Sequence, residues 1–100
     1  MFNVKTEISG ESILISLEGL LDSQTASDLT AVLDENLDKV NNIQFDFANL
    51  EYLTSAGLRA ILVAQQAMND KNGTMTVKNI SPDIMKIFDM TGFADVLTIV

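Results

Sequence analysis

Residues 43–62, "IQFDFANLEYLTSAGLRAIL", pass from one backbone period to another within twenty positions. Ile43, Phe45 and Phe47 alternate with Gln44 and Asp46, the period of two expected of a strand with one dry and one wet face. Leu58, Ile61 and Leu62 follow at three- and four-residue spacings, the buried stripe of a helix. Between these patterns stand Thr54, Ser55, Ala56 and Gly57: two hydroxyls, then two of the smallest residues. A helix cap, a nucleophile and a modification site all fit hydroxyls in that position.

Outward from this stretch, the alternation recurs. Phe2, Val4, Thr6 and Ile8 alternate with polar residues, "SGES" (9–12) reads as a turn, and Ile13, Ile15 and Leu17 start a second strand antiparallel to the first. Met75 and Val77 alternate with Thr74, Thr76 and Lys78. Strands covered by helices on both faces read as continuous apolar runs, whereas a strand with one wet face alternates. The expected fold is therefore α/β, a mixed four- to five-stranded sheet with its helices mainly on one face.

Three helices separate the strands. Ser23 is expected to cap one whose Ala26, Leu29, Leu33, Leu37 and Val40 share a face. The second starts near Ser55 or Ala56 and runs to about Lys71, where "NDKNG" stops it. The third opens with Ser81, Pro82 and Asp83, buries Ile84, Ile87 and Phe88, and ends at Gly92. "FADVLTIV" (93–100) suits a final turn or an edge strand. The order is ββαβαβα plus this tail, with residues 1–100 expected to form one domain.

Composition narrows the chemistry. Fourteen acids against six bases give a net charge of −8, which disfavours nucleic acid and anionic membrane as partners. The acids gather at Asp22, Asp28, Asp34, Glu35 and Asp38, an ordinary solvated face. Cysteine and histidine are both absent, removing thiolate metal sites and the commonest general base. No apolar run reaches the length of a membrane span, and the N-terminus lacks a signal-peptide core, so a soluble cytoplasmic protein without membrane insertion is expected. No phosphate-cradling glycine motif occurs, Ser55 lacks a nucleophile-elbow context, and Asp46 lacks the acidic pair that a phospho-accepting aspartate needs for Mg²⁺. An enzyme is not expected, and no cofactor or metal is.

A serine before a helix ordinarily accepts a hydrogen bond from a free backbone amide, worth about 1 kcal/mol. Ala56 and Gly57, however, leave Ser55 open to an approaching active site, and the amides of the helix start favour a phosphate there. The stretch "DFANLEYLTSAGLRAIL" resembles the signature of STAS domains, and more closely that of the stand-alone bacterial anti-sigma factor antagonists. "LEGLLDSQTASDL" (17–29) resembles the family's "GELD" turn and first helix. "NISPDIMKIFDMTGFADVLTI" (79–99) resembles its C-terminal segment.

This resemblance implies a phosphorylation-controlled partner switch. Unphosphorylated, the protein would bind an anti-sigma factor that is also a serine protein kinase. Phosphorylation would release it, and a metal-dependent PP2C-type serine phosphatase would reset it. By position the phosphoacceptor falls on Ser55, with Thr54 as the lesser alternative, and Asp22 falls on the aspartate of the "GELD" turn. Asp22, Ser23, Thr54, Ser55, Ala56, Gly57 and Arg59 are the expected partner-binding residues. They belong to a surface formed by a Gly19–Ser23 turn, an Asn49–Thr54 loop and the second helix. Tyr52 and Met68 are expected in the core or at its rim, and Met85, Met90 and Phe93 packed under the tail or forming a small apolar patch. Thr54 and Leu20 depart from the family pattern, which has Asp and Glu there. STAS domains also serve as fixed subunits of lipid-transport ABC complexes, the alternative role.

Overall fold

The computed structural model describes residues 2–100. Its elements run β1 (Asn3–Ser9), β2 (Ser12–Leu21), α1 (Ala26–Asn36), β3 (Asn42–Leu53), α2 (Ser55–Asp70), β4 (Thr74–Lys78), α3 (Pro82–Thr91), a 3₁₀ turn (Phe93–Asp95) and β5 (Thr98–Ile99). The tail thus supplies both a final turn and an edge strand. β1 and β2 form an antiparallel hairpin, turned at Gly10 with φ 60°, and β2 to β5 are parallel neighbours in chain order. Crossovers between parallel strands are right-handed as a rule, and each step here goes to the next strand in the same direction, which puts the three helices on one face.

That face is the core. Ile13, Ile43 and Met75 pair across the sheet in one row, and Ile15, Phe45 and Val77 in the next. All six are buried, as are Leu29 and Leu33 from α1, Ile61, Ala64 and Met68 from α2, and Ile84 and Phe88 from α3. Phe47 meets Phe45 at 5.9 Å and Phe88 at 6.3 Å between ring centroids, both tilted as aromatic quadrupoles prefer. The opposite sheet face carries Ser16, Gln44, Asp46, Thr76 and Lys78, which are only half-buried.

Several expectations are corrected. β1 lies at the sheet edge beyond helix cover, so Thr6 and Ile8 are exposed although they point to the core side. α1 ends at Asn36, and Val40 is buried from the loop that follows. The ammonium of Lys71 donates to the carbonyls of Leu37 and Val40, tying the C-terminal ends of α1 and α2 together. Ser81 caps α3 as expected, its side chain accepting from the Ile84 amide.

β2 and β3 are longer than their alternation suggests. Two irregularities in their pairing, between Ser16 and Glu18 and between Gly19 and Leu20, give β3 an extra residue each time. The buried positions of β3 therefore run 43, 45, 47 and then 50 and 53. Bulges of this kind re-aim side chains at strand ends. Gly19–Leu21 and Asn49–Leu53, expected as parts of a turn and a loop, belong to these two paired strands.

Candidate functional site

β2 and β3 end side by side, Leu21 opposite Leu53, so the segments after them leave the same end of the sheet. The Thr54 amide donates to the Leu21 carbonyl at 2.9 Å, and the Thr54 carbonyl accepts from the Leu58 amide at 3.0 Å. These two bonds fix the entrance of α2. Thr54 occupies the capping position in extended conformation, φ −97° and ψ 178°, but its side chain makes no capping bond. Ser55 is the first residue of the helix and is solvent-exposed, as is Thr54. It is therefore not a cap, and its hydroxyl lies within reach of another protein.

Gly57 has a different task from the one its size suggests. A Cβ added there would lie 2.7 Å from Leu21 Cγ and 2.9 Å from Leu21 Cδ2. Gly57 is buried against the end of β2, where its lack of a side chain lets helix and strand meet. Access to Ser55 follows from its place on the outer side of the first turn. Ala56 is half-buried and faces α1.

The other sequence-chosen residues are brought to the same end. Asp22 Oδ1 accepts from the amides of Gln24 and Thr25, each at 3.0 Å, and from the Thr25 hydroxyl at 3.1 Å. The amide and hydroxyl of Thr25, and then the Gln24 amide, hold the Asp22 carboxyl below its ordinary value. The single hydroxyl proton of Thr25 is shared between Asp22 Oδ1 and the Leu20 carbonyl, which lies 2.9 Å from Thr25 Oγ1. Asp22 thus organises the β2–α1 loop, the part assigned in the sequence to Ser23. Ser23 is exposed in that loop and α1 starts three residues after it. Serine fails as the cap because Asp22 takes the loop amides first.

Arg59, exposed on α2 one turn beyond Ser55, stands between two shallow grooves of about 220 Å³ each. One lies between α1 and α2 and includes Asp34, Ala56 and Val63. The other is lined by Ser55, Leu58, Arg59, Leu62, Thr91 and Phe93. Beside the α2 entrance, Leu20 and Tyr52 are cross-strand partners and stand 45 % and 49 % exposed. Their outward face was not legible in the sequence, because residues 19–23 and 49–54 were expected as turn and loop, whereas 19–21 and 49–53 continue β2 and β3. Met68 is a core residue as expected, whereas Tyr52 is exposed and outside the core, and Met90 projects into solvent at 86 % exposure instead of packing under the tail. Met85 and Phe93 are half-buried.

Among the described residues no group of three or more acidic side chains is arranged to hold a metal ion. No helix among the described residues is long and apolar enough to cross a membrane. The site offers an exposed hydroxyl on a rigid helix, a guanidinium one turn on, and an apolar pair beside them. Such a surface can be modified and docked upon.

The family model for the STAS domain matches residues 3–100. An anti-sigma F factor antagonist of Paenibacillus polymyxa is 28 % identical over 89 residues, covering 87 % of this chain and 76 % of its own length. The anti-sigma factor antagonist SpoIIAA in its unphosphorylated form superposes with a TM-score of 0.79 at 22 % identity, over all of this chain and 87 % of its own. The phosphorylated form of this Bacillus cell fate determinant gives 0.78 at 22 % identity, over all of this chain and 91 % of its own. At that identity the likeness shows the fold.

Proposed function

This chain belongs to the STAS domain family, and from that premise we propose that it is an anti-sigma factor antagonist switched by phosphorylation at Ser55. The unphosphorylated protein binds an anti-sigma factor that is also a serine protein kinase, and so frees the sigma factor. The kinase then transfers the γ-phosphoryl group of ATP to Ser55. The oxygen–phosphorus bond forms as the bond to the β-phosphate oxygen breaks. ADP departs, and the hydroxyl proton passes to a base of the kinase. A PP2C-type phosphatase returns serine and inorganic phosphate by metal-activated hydrolysis. This domain is substrate and ligand, and ATP and metal ions belong to its partners.

The observation that carries this reading is the placement of Ser55. It is exposed, held at the first position of α2 by the Thr54–Leu21 bond, and flanked by the Asp22 loop. Relatives carrying the antagonist name support the assignment, the Paenibacillus polymyxa protein among them. Thr54 is the lesser acceptor, because its backbone is bonded to β2 on one side and to the helix on the other.

Magnitudes locate the switch. A phosphate adds roughly −1.5 to −2 charges. At a helix N-terminus that charge is favourable by about 0.3–1 kcal/mol, so the domain stays folded. Across a docked surface, like charges cost about 3 kcal/mol, roughly a hundredfold in affinity. The interface effect is the larger. SpoIIAA superposes equally well on this chain in both its forms, which supports a switch without refolding.

The test is to isolate the proteins that co-purify with wild type and with Ser55→Asp, and to search the native protein for phosphate by mass spectrometry. The reading expects a kinase bound to wild type and lost from Ser55→Asp, with phosphate on Ser55. A kinase retained equally by both forms would overturn it.

A further inference from the structure

We infer that Arg59 is the internal counter-ion of phosphorylated Ser55, so that phosphorylation withdraws a cation from the docking surface as well as adding an anion. The inference rests on the reading of Ser55 as the acceptor and specifies how that site acts. Ser55 and Arg59 are four residues apart on α2, the separation at which side chains of one helix face meet. Both are exposed, and both line the groove closed by Thr91 and Phe93. An arginine fork can take two phosphate oxygens at once, with charge-assisted hydrogen bonds about twice as strong as neutral ones.

The surroundings favour this pairing over others. Arg59 also borders the α1–α2 groove, where Asp34 is the facing carboxylate. Asp22, in the loop after β2, already spends one oxygen on Gln24 and Thr25. On the other side, α3 and the 3₁₀ turn contribute Thr91 and Phe93, which carry no charge. A phosphate dianion on Ser55 therefore outcompetes the single charge of Asp34. It draws Arg59 away from the α1–α2 groove and across Leu58 and Leu62. A partner that uses Arg59 as a cationic contact loses it at the moment the repelling anion appears. One modification then changes both grooves on the flanks of α2.

The experiment installs phosphoserine at position 55 during synthesis, so no kinase is required, and follows the phosphate by ³¹P NMR titration at low ionic strength. Free phosphoserine has its second pKa near about 6. Both the helix start and Arg59 favour the dianion and lower this value. In Arg59→Gln only the helix contribution remains, and the pKa is expected to rise by roughly 0.3 unit, a twofold change in proton affinity. Arg59→Lys keeps the charge and recovers part of the shift. Added salt narrows the difference between wild type and Arg59→Gln. Lys39→Gln, beyond the far end of α1, leaves the titration unchanged. Superimposable titrations of wild type and Arg59→Gln would overturn the inference while leaving the Ser55 switch intact. Absence of phosphate from Ser55 of the native protein would remove the switch without altering the titration.

Discussion

Replacing Gly57 by alanine sets two opposing effects against each other at the entrance of α2. In a helix interior alanine is favoured over glycine by about 1 kcal/mol, because glycine loses more backbone freedom on folding. At this position the new methyl group would meet Leu21 Cγ at 2.7 Å, Leu21 Cδ2 at 2.9 Å and the Leu21 carbonyl oxygen at 3.0 Å. The shortest of these falls 0.7 Å inside the 3.4 Å at which ordinary contact begins. Leu21 is fully buried and its carbonyl is held by the Thr54 amide, so neither partner moves freely. Overpacking of this kind costs roughly 1–3 kcal/mol. The packing cost exceeds the propensity gain, and Gly57→Ala is expected to lose about 1 kcal/mol. For a domain of this size that corresponds to a fall in Tm of roughly 4–8 °C. Urea unfolding followed by far-ultraviolet circular dichroism reads the difference directly. A variant more stable than wild type by about 1 kcal/mol would show that propensity alone governs the site. The account of how α2 is seated against β2 would then be refuted.

Two further outcomes are expected. Gln65 is 6 % exposed, and its Oε1 has no hydrogen-bond partner while its Nε2 donates to Asn69. Gln65→Leu should therefore stabilise the domain by about 1 kcal/mol in urea unfolding, and a comparable loss would show that the buried amide is satisfied in solution. The Asp46 carboxyl is held below its ordinary 3.8 by the Asn79 side-chain amide first and then by the Ala48 backbone amide. A depressed folded pKa means that its contribution is complete above 3.8 and is lost as pH falls through the folded value. Acid titration of stability should give a shallower limb for Asp46→Asn than for wild type, and coincident limbs would contradict the assignment.

The parts of this fold that could be read from sequence are those where one period holds without interruption. Ile13 to Leu17 and Ile43 to Phe47 alternate because each lies between a helix-covered face and an open one, and that alternation predicts helices on one side. Beyond Phe47 the spacing becomes 47, 50, 53, since bulges insert residues that no propensity announces. Leu20 and Tyr52 lie on strand ends that were expected as turn and loop, so the apolar pair beside Ser55 was hidden with them. Ile8 failed for another reason. It has the pattern of a core residue, but cover depends on where a helix lies over the sheet, which is a tertiary fact. Ser55 and Arg59 were legible because a single helical turn fixes their relation. Gly57 was noticed for the wrong reason, its close neighbour being a strand residue thirty-six positions earlier.

The central claim is that one phosphate at Ser55 abolishes docking while the scaffold stays as it is. Isothermal titration of the purified anti-sigma kinase against this protein, unmodified and with phosphoserine at position 55, measures it most directly. The expected result is roughly a hundredfold weaker association for the phosphorylated form, with amide NMR shifts altered only around Thr54–Arg59 and the adjoining Asp22 loop. Equal affinities for the two forms, or shifts spread through the whole sheet, would contradict it.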